Sequence, residues 1–176
     1  LQADIASQLI RHGVEVHVFN QRSVDEILRV IRMLGGMTGC ETKAAALAAE
    51  LENGLDALRA TAAAFPRRPR VYFEEWDEPQ ISGIRWVSEL VGIAGGDDVF
   101  PELAACGLGK DRIITDPLEV VRREPDIIFG SWCGKKFSAR NVAARPGWHD
   151  VPAVRDRELH EVKSSIILQP GPAALT

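Results

Sequence analysis

Two strings in this chain bring together side chains that could grip a small molecule, "FEEWDEP" at 73–79 and "FGSWCGKK" at 129–136. Each sets a tryptophan among charged residues and turn formers. The first carries Glu74, Glu75, Trp76 and Asp77; the second carries Ser131, Trp132, Cys133, Gly134, Lys135 and Lys136. Pockets for small molecules are usually walled by aromatic rings with a few directed polar groups, which is this composition. Trp76 and Trp132, with Glu75 beside the first, are therefore the candidates for ligand contact. Trp86 falls mid-helix by pattern and reads as a packing residue, while Trp148 and His149 in "RPGWHD" precede the last strand and stand apart.

Catalytic and metal chemistry find less support. Cys133 lies near Lys135, but no histidine-and-acid set accompanies it, so no catalytic residue is assigned. Glu74 and Glu75 are neighbours in a strand and point to opposite faces, which prevents them from acting as a carboxylate pair. His12, His17, His149 and His160 are scattered, with no histidine or cysteine three or four residues away, so no metal site is read. Cys40, Cys106 and Cys133 are odd in number and widely spaced. They are expected to be small buried side chains rather than a disulfide or zinc framework. Neither "GIAGG" nor "GSWCGKK" matches GxGxxG or the phosphate-binding GxxxxGK[ST], and no cofactor is expected.

The elements that must position the two strings follow an α/β rhythm. Ile5, Leu9 and Ile10 give a short helical face that stops at Gly13, and "VEVHVF" then alternates as a strand with one face buried. Ser23 and Glu26 form a capping box for a helix with Val24, Ile27, Ile31 and Leu34 inward, ended by Gly35 and Gly36. From Glu41 to Phe65 apolar residues recur at steps of three and four (Leu47, Leu51, Leu55, Leu58, Ala62, Phe65), a helix of about 36 Å at 1.5 Å per residue. Pro66 and Pro69 break it. Beyond them come a strand "RVYFEEW", a helix "SGIRWVSELVGIAGG", a short strand "RIIT", a helix "PLEVVRRE" opened by Pro117, a strand "PDIIFGSW" suited to burial on both faces, a short helix at 141–144 and a strand "ELHEVK". This alternation predicts an α/β fold: a mainly parallel sheet with flanking helices, and ligands beyond the carboxyl ends of the strands. Trp76 and Trp132 both fall at such ends, so they are expected side by side on one rim.

The 176 residues carry a net charge of −4, with 45% hydrophobic and 26% charged residues, the balance of an ordinary globular protein. Nothing points to nucleic acid, and Arg67, Arg68 and Arg70 read as a solvated linker. No apolar run approaches the roughly 20 residues of a membrane span. The chain opens at Leu1 in a helical pattern without an initiator methionine or signal peptide, so an upstream part is expected to be absent.

Several strings, "RPRVYFEEWDEPQISGIRWVSELVGIAGGDDVF", "EVVRREPDIIFGSWCGKK" and "LHEVKSSIILQPGPAALT", together with the long helix before them, resemble the substrate-binding proteins of ABC importers for cobalamin and ferric chelates, the cobalamin-binding branch above all. The likeness covers nearly the whole chain and is densest from Arg70 to Ile128. It implies two α/β lobes joined by one long connecting helix, with the ligand in the cleft between them. Residues 1–40 would be the last part of the first lobe, 41–66 the connecting helix and 67–176 the second lobe with its final helix truncated. The chain is thus expected to be a fragment.

The resemblance also implies roles. The protein would be no enzyme; it would capture a corrinoid or ferric chelate and deliver it to a membrane permease, in the periplasm or at the cell envelope. Trp76 and Trp132 match the second lobe's aromatic grip, with Arg85 and Lys135 as partners for ligand carboxylate, phosphate or amide groups. Glu119 is the nearest match to the acidic residue that docks on the permease, although Leu118 stands in the expected slot. A cytoplasmic enzyme or chaperone handling metal tetrapyrroles on a related scaffold stays open, as does pairing of the fragment with a second copy through an exposed sheet edge.

Overall fold

The computed structural model describes residues 2–176, and from Arg70 onward strands alternate with helices around a single sheet. The helices are α1 (Gln2–Arg11), α2 (Val24–Met37), α3 (Glu41–Ala62), α4 (Arg85–Ile93), α5 (Pro101–Ala104), α6 (Leu118–Arg122), α7 (Ala139–Ala143), α8 (Pro152–Arg155) and α9 (Ser164–Ile167). The strands are β1 (Arg70–Asp77), β2 (Gln80–Ser82), β3 (Asp97–Asp98), β4 (Ile127–Gly130) and β5 (Leu159–Glu161). β4 pairs parallel with both β1 and β5, while the other edge of β1 is shared by β3, parallel, and β2, antiparallel. The fold is thus α/β with a mainly parallel sheet.

Side chains of β1 alternate between two cores. Phe73 joins the helical side with Ile27, Leu51, Leu55, Trp86 and Val87. Tyr72 joins the opposite side with Phe100, Val120, Ile128, Trp132 and Trp148. Burying one such side chain is worth about 1.5–3 kcal/mol, so both layers are needed to hold β1 in place.

The local signals around α2 act as expected. Ser23 accepts from the Glu26 amide, and the Glu26 carboxylate accepts from the amides of Arg22 and Ser23, satisfying amides that the first helical turn leaves unpaired. The Gly35–Gly36 pair does not end the helix, which runs on to Met37. Its purpose at Gly35 is close approach: a β-carbon there would collide with the Ala44 β-carbon on α3. Gly35→Ala is expected to cost about 1–3 kcal/mol by forcing α2 and α3 apart. A urea-denaturation midpoint equal to wild type would show that the contact is slack.

α3 is one unbroken helix, and it buries Ala44, Ala48, Leu51 and Leu55. Leu47, Leu58 and Phe65, expected on its inner face, are exposed. Ala44 lies against Gly35 of α2, where only small side chains fit.

Other expectations are corrected. Residues 14–19 form no strand: Val14 is 48% and Val18 72% exposed, and among the described residues no strand pairs with them. Alternation marks a strand only where a sheet exists to receive it. "RIIT" contributes an isolated bridge between Ile113 and Ile81 rather than a strand. α4 begins at Arg85 because residues 80–82 belong to the β1–β2 hairpin. β4 is fully buried on one face and half-buried on the other, where Ile127 and Phe129 border an apolar groove of about 290 Å³ with Phe65, Val71 and Val162. Cys40 and Cys133 are exposed and Cys106 is half-buried, so none is a core residue.

The arginines after α3 fasten β1 rather than forming a free linker. Arg67 bonds Asp126 at 2.7 Å, Asp126 also accepts from the Arg70 amide at 2.7 Å, and Arg68 pairs with Asp97 at 2.6 Å. The Arg67 bond holds the Asp126 carboxyl below its ordinary range. A depressed carboxylate pKa stabilises the fold above the unfolded-state value, and that contribution disappears as pH falls through the folded-state value. Asp126→Asn should therefore lower stability at neutral pH by about 1 kcal/mol, the loss of a charge-assisted bond. The gap to wild type should close as the solution is acidified below the ordinary carboxylate range. A pH-independent gap would contradict this.

Candidate functional site

β1 and β4 lie side by side, Glu74 opposite Gly130, so the chain leaves both strands at one margin of the sheet. Residues 75–77 and 131–135 build a rim at that margin.

Glu74 is its anchor. The carboxylate is fully buried and accepts from Arg145 at 2.6 and 2.8 Å, from the Trp132 indole N–H at 3.0 Å and from the Tyr72 hydroxyl at 3.1 Å. A buried carboxylate is tolerated only when paired and fully bonded, and these four bonds meet that need. Burial, reinforced by the Glu74 charge, pushes the Tyr72 hydroxyl well above its ordinary pKa. Burial opposes the charge on Arg145, but the bond and charge of Glu74 outweigh it and raise its pKa. Arg145 also lies over the Trp148 ring, which is completely buried against Tyr72. Sequence reasoning did not find Arg145 or Tyr72, and it set Trp148 apart from the rim it in fact supports. The one available signal was an acid alternating with apolar residues in a central strand, which calls for a basic partner.

Glu75 points the other way and is not free to meet a ligand. It takes both terminal nitrogens of the buried Arg112, at 2.7 and 3.0 Å, and Arg112 also donates to the Ser82 carbonyl. This bonding braces the β1–β2 hairpin instead of opening onto the rim.

Trp76 and Trp132 do come together, though not as two exposed rings. Trp132 is 6% exposed, held by Glu74 and packed edge-on by Phe137 with ring centroids 5.0 Å apart. The expectation of an open indole at 132 is corrected: its N–H serves the buried carboxylate, and that draws the ring inward. Trp76 is half-buried, with its N–H donated to the Glu78 carbonyl at 2.9 Å. Lys135 joins them. Its ammonium lies 4.6 Å from the centroid of Trp76 and 5.1 Å from that of Trp132, and 2.5 Å from Asp77 Oδ1. Gly134, at φ +78°, makes the turn that returns Lys135 to the rings, a conformation that costs a side-chain-bearing residue. Beside this cluster a depression of about 780 Å³ runs past Trp132, Gln80, Thr115, Asn141 and Arg145.

Arg85 is elsewhere. It pairs with Glu89 at 2.9 Å, and Glu89 accepts from the Val24 amide at 2.7 Å, tying α4 to the start of α2. It borders the polar hollow between α2, α3 and α4, of about 1040 Å³, rather than the strand ends. That hollow is larger, but its borders are paired charges, whereas the rim has the rings and the strand ends where ligands of α/β sheets bind. Glu119 sits on α6 between Arg123 at 2.9 Å and Arg122 at 2.7 Å, which hold its pKa below the ordinary value, with Leu118 exposed beside it. Among the described residues no group of three or more His, Cys, Asp or Glu side chains could hold a metal ion.

A parallel sheet whose strand ends open onto an aromatic, charged rim is the architecture of an α/β ligand-binding lobe. The chain belongs to the periplasmic binding protein family, whose profile matches residues 1–165. A curated relative, the vitamin B12-binding protein of Vibrio parahaemolyticus serotype O3:K6, is 22% identical over 171 residues, which are 96% of this chain and 58% of the relative. The periplasmic heme-binding protein RhuT from Roseiflexus sp. RS-1 superposes with a TM-score of 0.78 at 24% identity, over 97% of this chain and 67% of that one. The periplasmic vitamin B12 binding protein BtuF of Vibrio cholerae gives 0.69 at 20% identity, over 99% and 66%. The chain therefore spans a little under six-tenths of the curated relative and about two-thirds of these structures, and the likeness to the structures is one of fold.

Proposed function

We propose that this chain forms the ligand-gripping second lobe of a protein that captures a corrinoid or a ferric chelate such as heme and hands it to an ABC-transporter permease, without chemical conversion. The observation that carries this reading is the cluster of Trp76, Trp132 and Lys135 at the ends of two parallel strands. Bulky planar ligands are bound through area, at about 25 cal/mol per Å² of apolar surface buried, and indoles supply that area with little entropy to lose. The names of the relatives, vitamin B12-binding and heme-binding, point to the same ligand class. In this reading α3 is the connecting helix, and its continuity permits only small motion between lobes. Glu119 is offered as the acid that meets the permease, and the place of work is the periplasm or cell envelope. No described helix is long and apolar enough to cross a membrane.

The test is titration of the native protein with cyanocobalamin, heme and a ferric siderophore in turn, read by tryptophan fluorescence. Saturable quenching by one of them, with the ligand recovered unchanged, is expected. Three flat titrations, or conversion of the ligand, would contradict the proposal.

A further inference from the structure

The ammonium of Lys135 occupies the place that a ligand ring would need. It lies over both indoles and against Asp77. We propose that Lys135 is a displaceable cover on this wall and its specificity-determining residue, selecting planar ligands whose edge carries carboxylate groups. The inference rests on the rim being a ligand wall and deepens that reading by naming the ligand's edge chemistry.

Of the three side chains in the cluster, Lys135 is the one held only by the far end of a flexible stem. Trp132 is fixed by the Glu74 bond and by Phe137, and Trp76 by its bond to the Glu78 carbonyl. Lys135 has a flexible four-carbon stem, its side chain is 42% exposed, and its ion pair is with Asp77. The pair is half-buried, with Asp77 19% exposed, and a ring system that covers the indoles takes the place of the ammonium by burying apolar surface that outweighs it. Once displaced, the ammonium loses Asp77 and two ring faces. A ligand with a neutral edge returns nothing for that loss, while a carboxylate at the edge gives the ammonium a new partner. The exposed Lys136, next in the chain, adds a second positive charge on this side. Arg145, the other nearby cation, is committed to Glu74 and does not compete for the ligand.

The experiment compares hemin, which has two edge carboxylates, with hemin dimethyl ester, on native protein and on the Lys135→Met and Lys135→Arg variants. Circular dichroism melts confirm folding, which an exposed lysine should not disturb. Wild type is expected to bind the diacid at least about tenfold more tightly than the ester. In Lys135→Met the ratio should fall to within about twofold, mainly because the ester binds better once the cover is gone, and Lys135→Arg should keep the preference. A Lys135→Met protein that retains the tenfold ratio overturns the inference while leaving the ligand wall intact. So does binding of cyanocobalamin, whose ring edge carries amides, with no binding of hemin. If none of these macrocycles binds wild type, the ligand wall and the cover fall together.

Discussion

Glu74→Ala is expected to destabilise the fold by about 3–5 kcal/mol, the usual cost of removing one partner from a buried ion pair. Arg145 would be left charged against Trp148, and the Tyr72 hydroxyl and Trp132 indole would lose their acceptor. For a chain of this length that is roughly a 10 °C fall in melting temperature, at 2–4 °C per kcal/mol. The double replacement Glu74→Leu with Arg145→Met removes both charges and keeps the volume, and should recover most of the loss. A thermal melt of Glu74→Ala within two or three degrees of wild type would show that the network is not what holds the rim. Failure of the double variant to recover would instead locate the cost in Tyr72 and Trp132.

Trp76→Ala is expected to weaken ligand binding by about 2 kcal/mol, roughly thirtyfold, as for an aromatic anchor at the centre of a contact. Its effect on folding should be much smaller. Trp76 is half-buried and its N–H bond reaches only the carbonyl two residues on. This separation is what makes Trp76 more informative than Trp132, whose removal would also strip a bond from Glu74. Calorimetric titration beside a thermal melt checks both halves. Unchanged affinity would remove Trp76 from the wall, and an equal loss of stability would make it a packing residue.

Features decided locally are legible in the sequence. The Ser23–Glu26 box involves residues three apart, the α3 stretch has no proline until Pro66, and the apolar runs that open β1 and fill β4 are short and bounded by turn formers. Features that depend on partners far along the chain are not. Glu74 and Arg145 are 71 residues apart, and Glu75 and Arg112 are 37 apart. Charge type alone does not say which arginine each acid takes, so Arg112 and Arg145 carry no signal, while Arg85, named on the resemblance, lies away from the rim with Glu89. The same limit explains residues 14–19, where the alternation of Val14, Val16 and Val18 is real but no strand lies alongside. It also explains Trp132, where a loop position beside glycine signals exposure and the pull of a buried carboxylate decides otherwise. The placing of two indoles at one margin is legible because parallel strands deliver their ends to the same side. The ammonium between them is not.

Oxidative footprinting of the native protein, with each tryptophan quantified by mass spectrometry at increasing ligand concentration, asks the decisive question of the rim directly. Trp76 should become protected in step with ligand saturation, while the fully buried Trp148 stays unreactive throughout. Saturation of the protein with Trp76 as reactive as before would place the ligand elsewhere and contradict the binding role assigned to these strand ends.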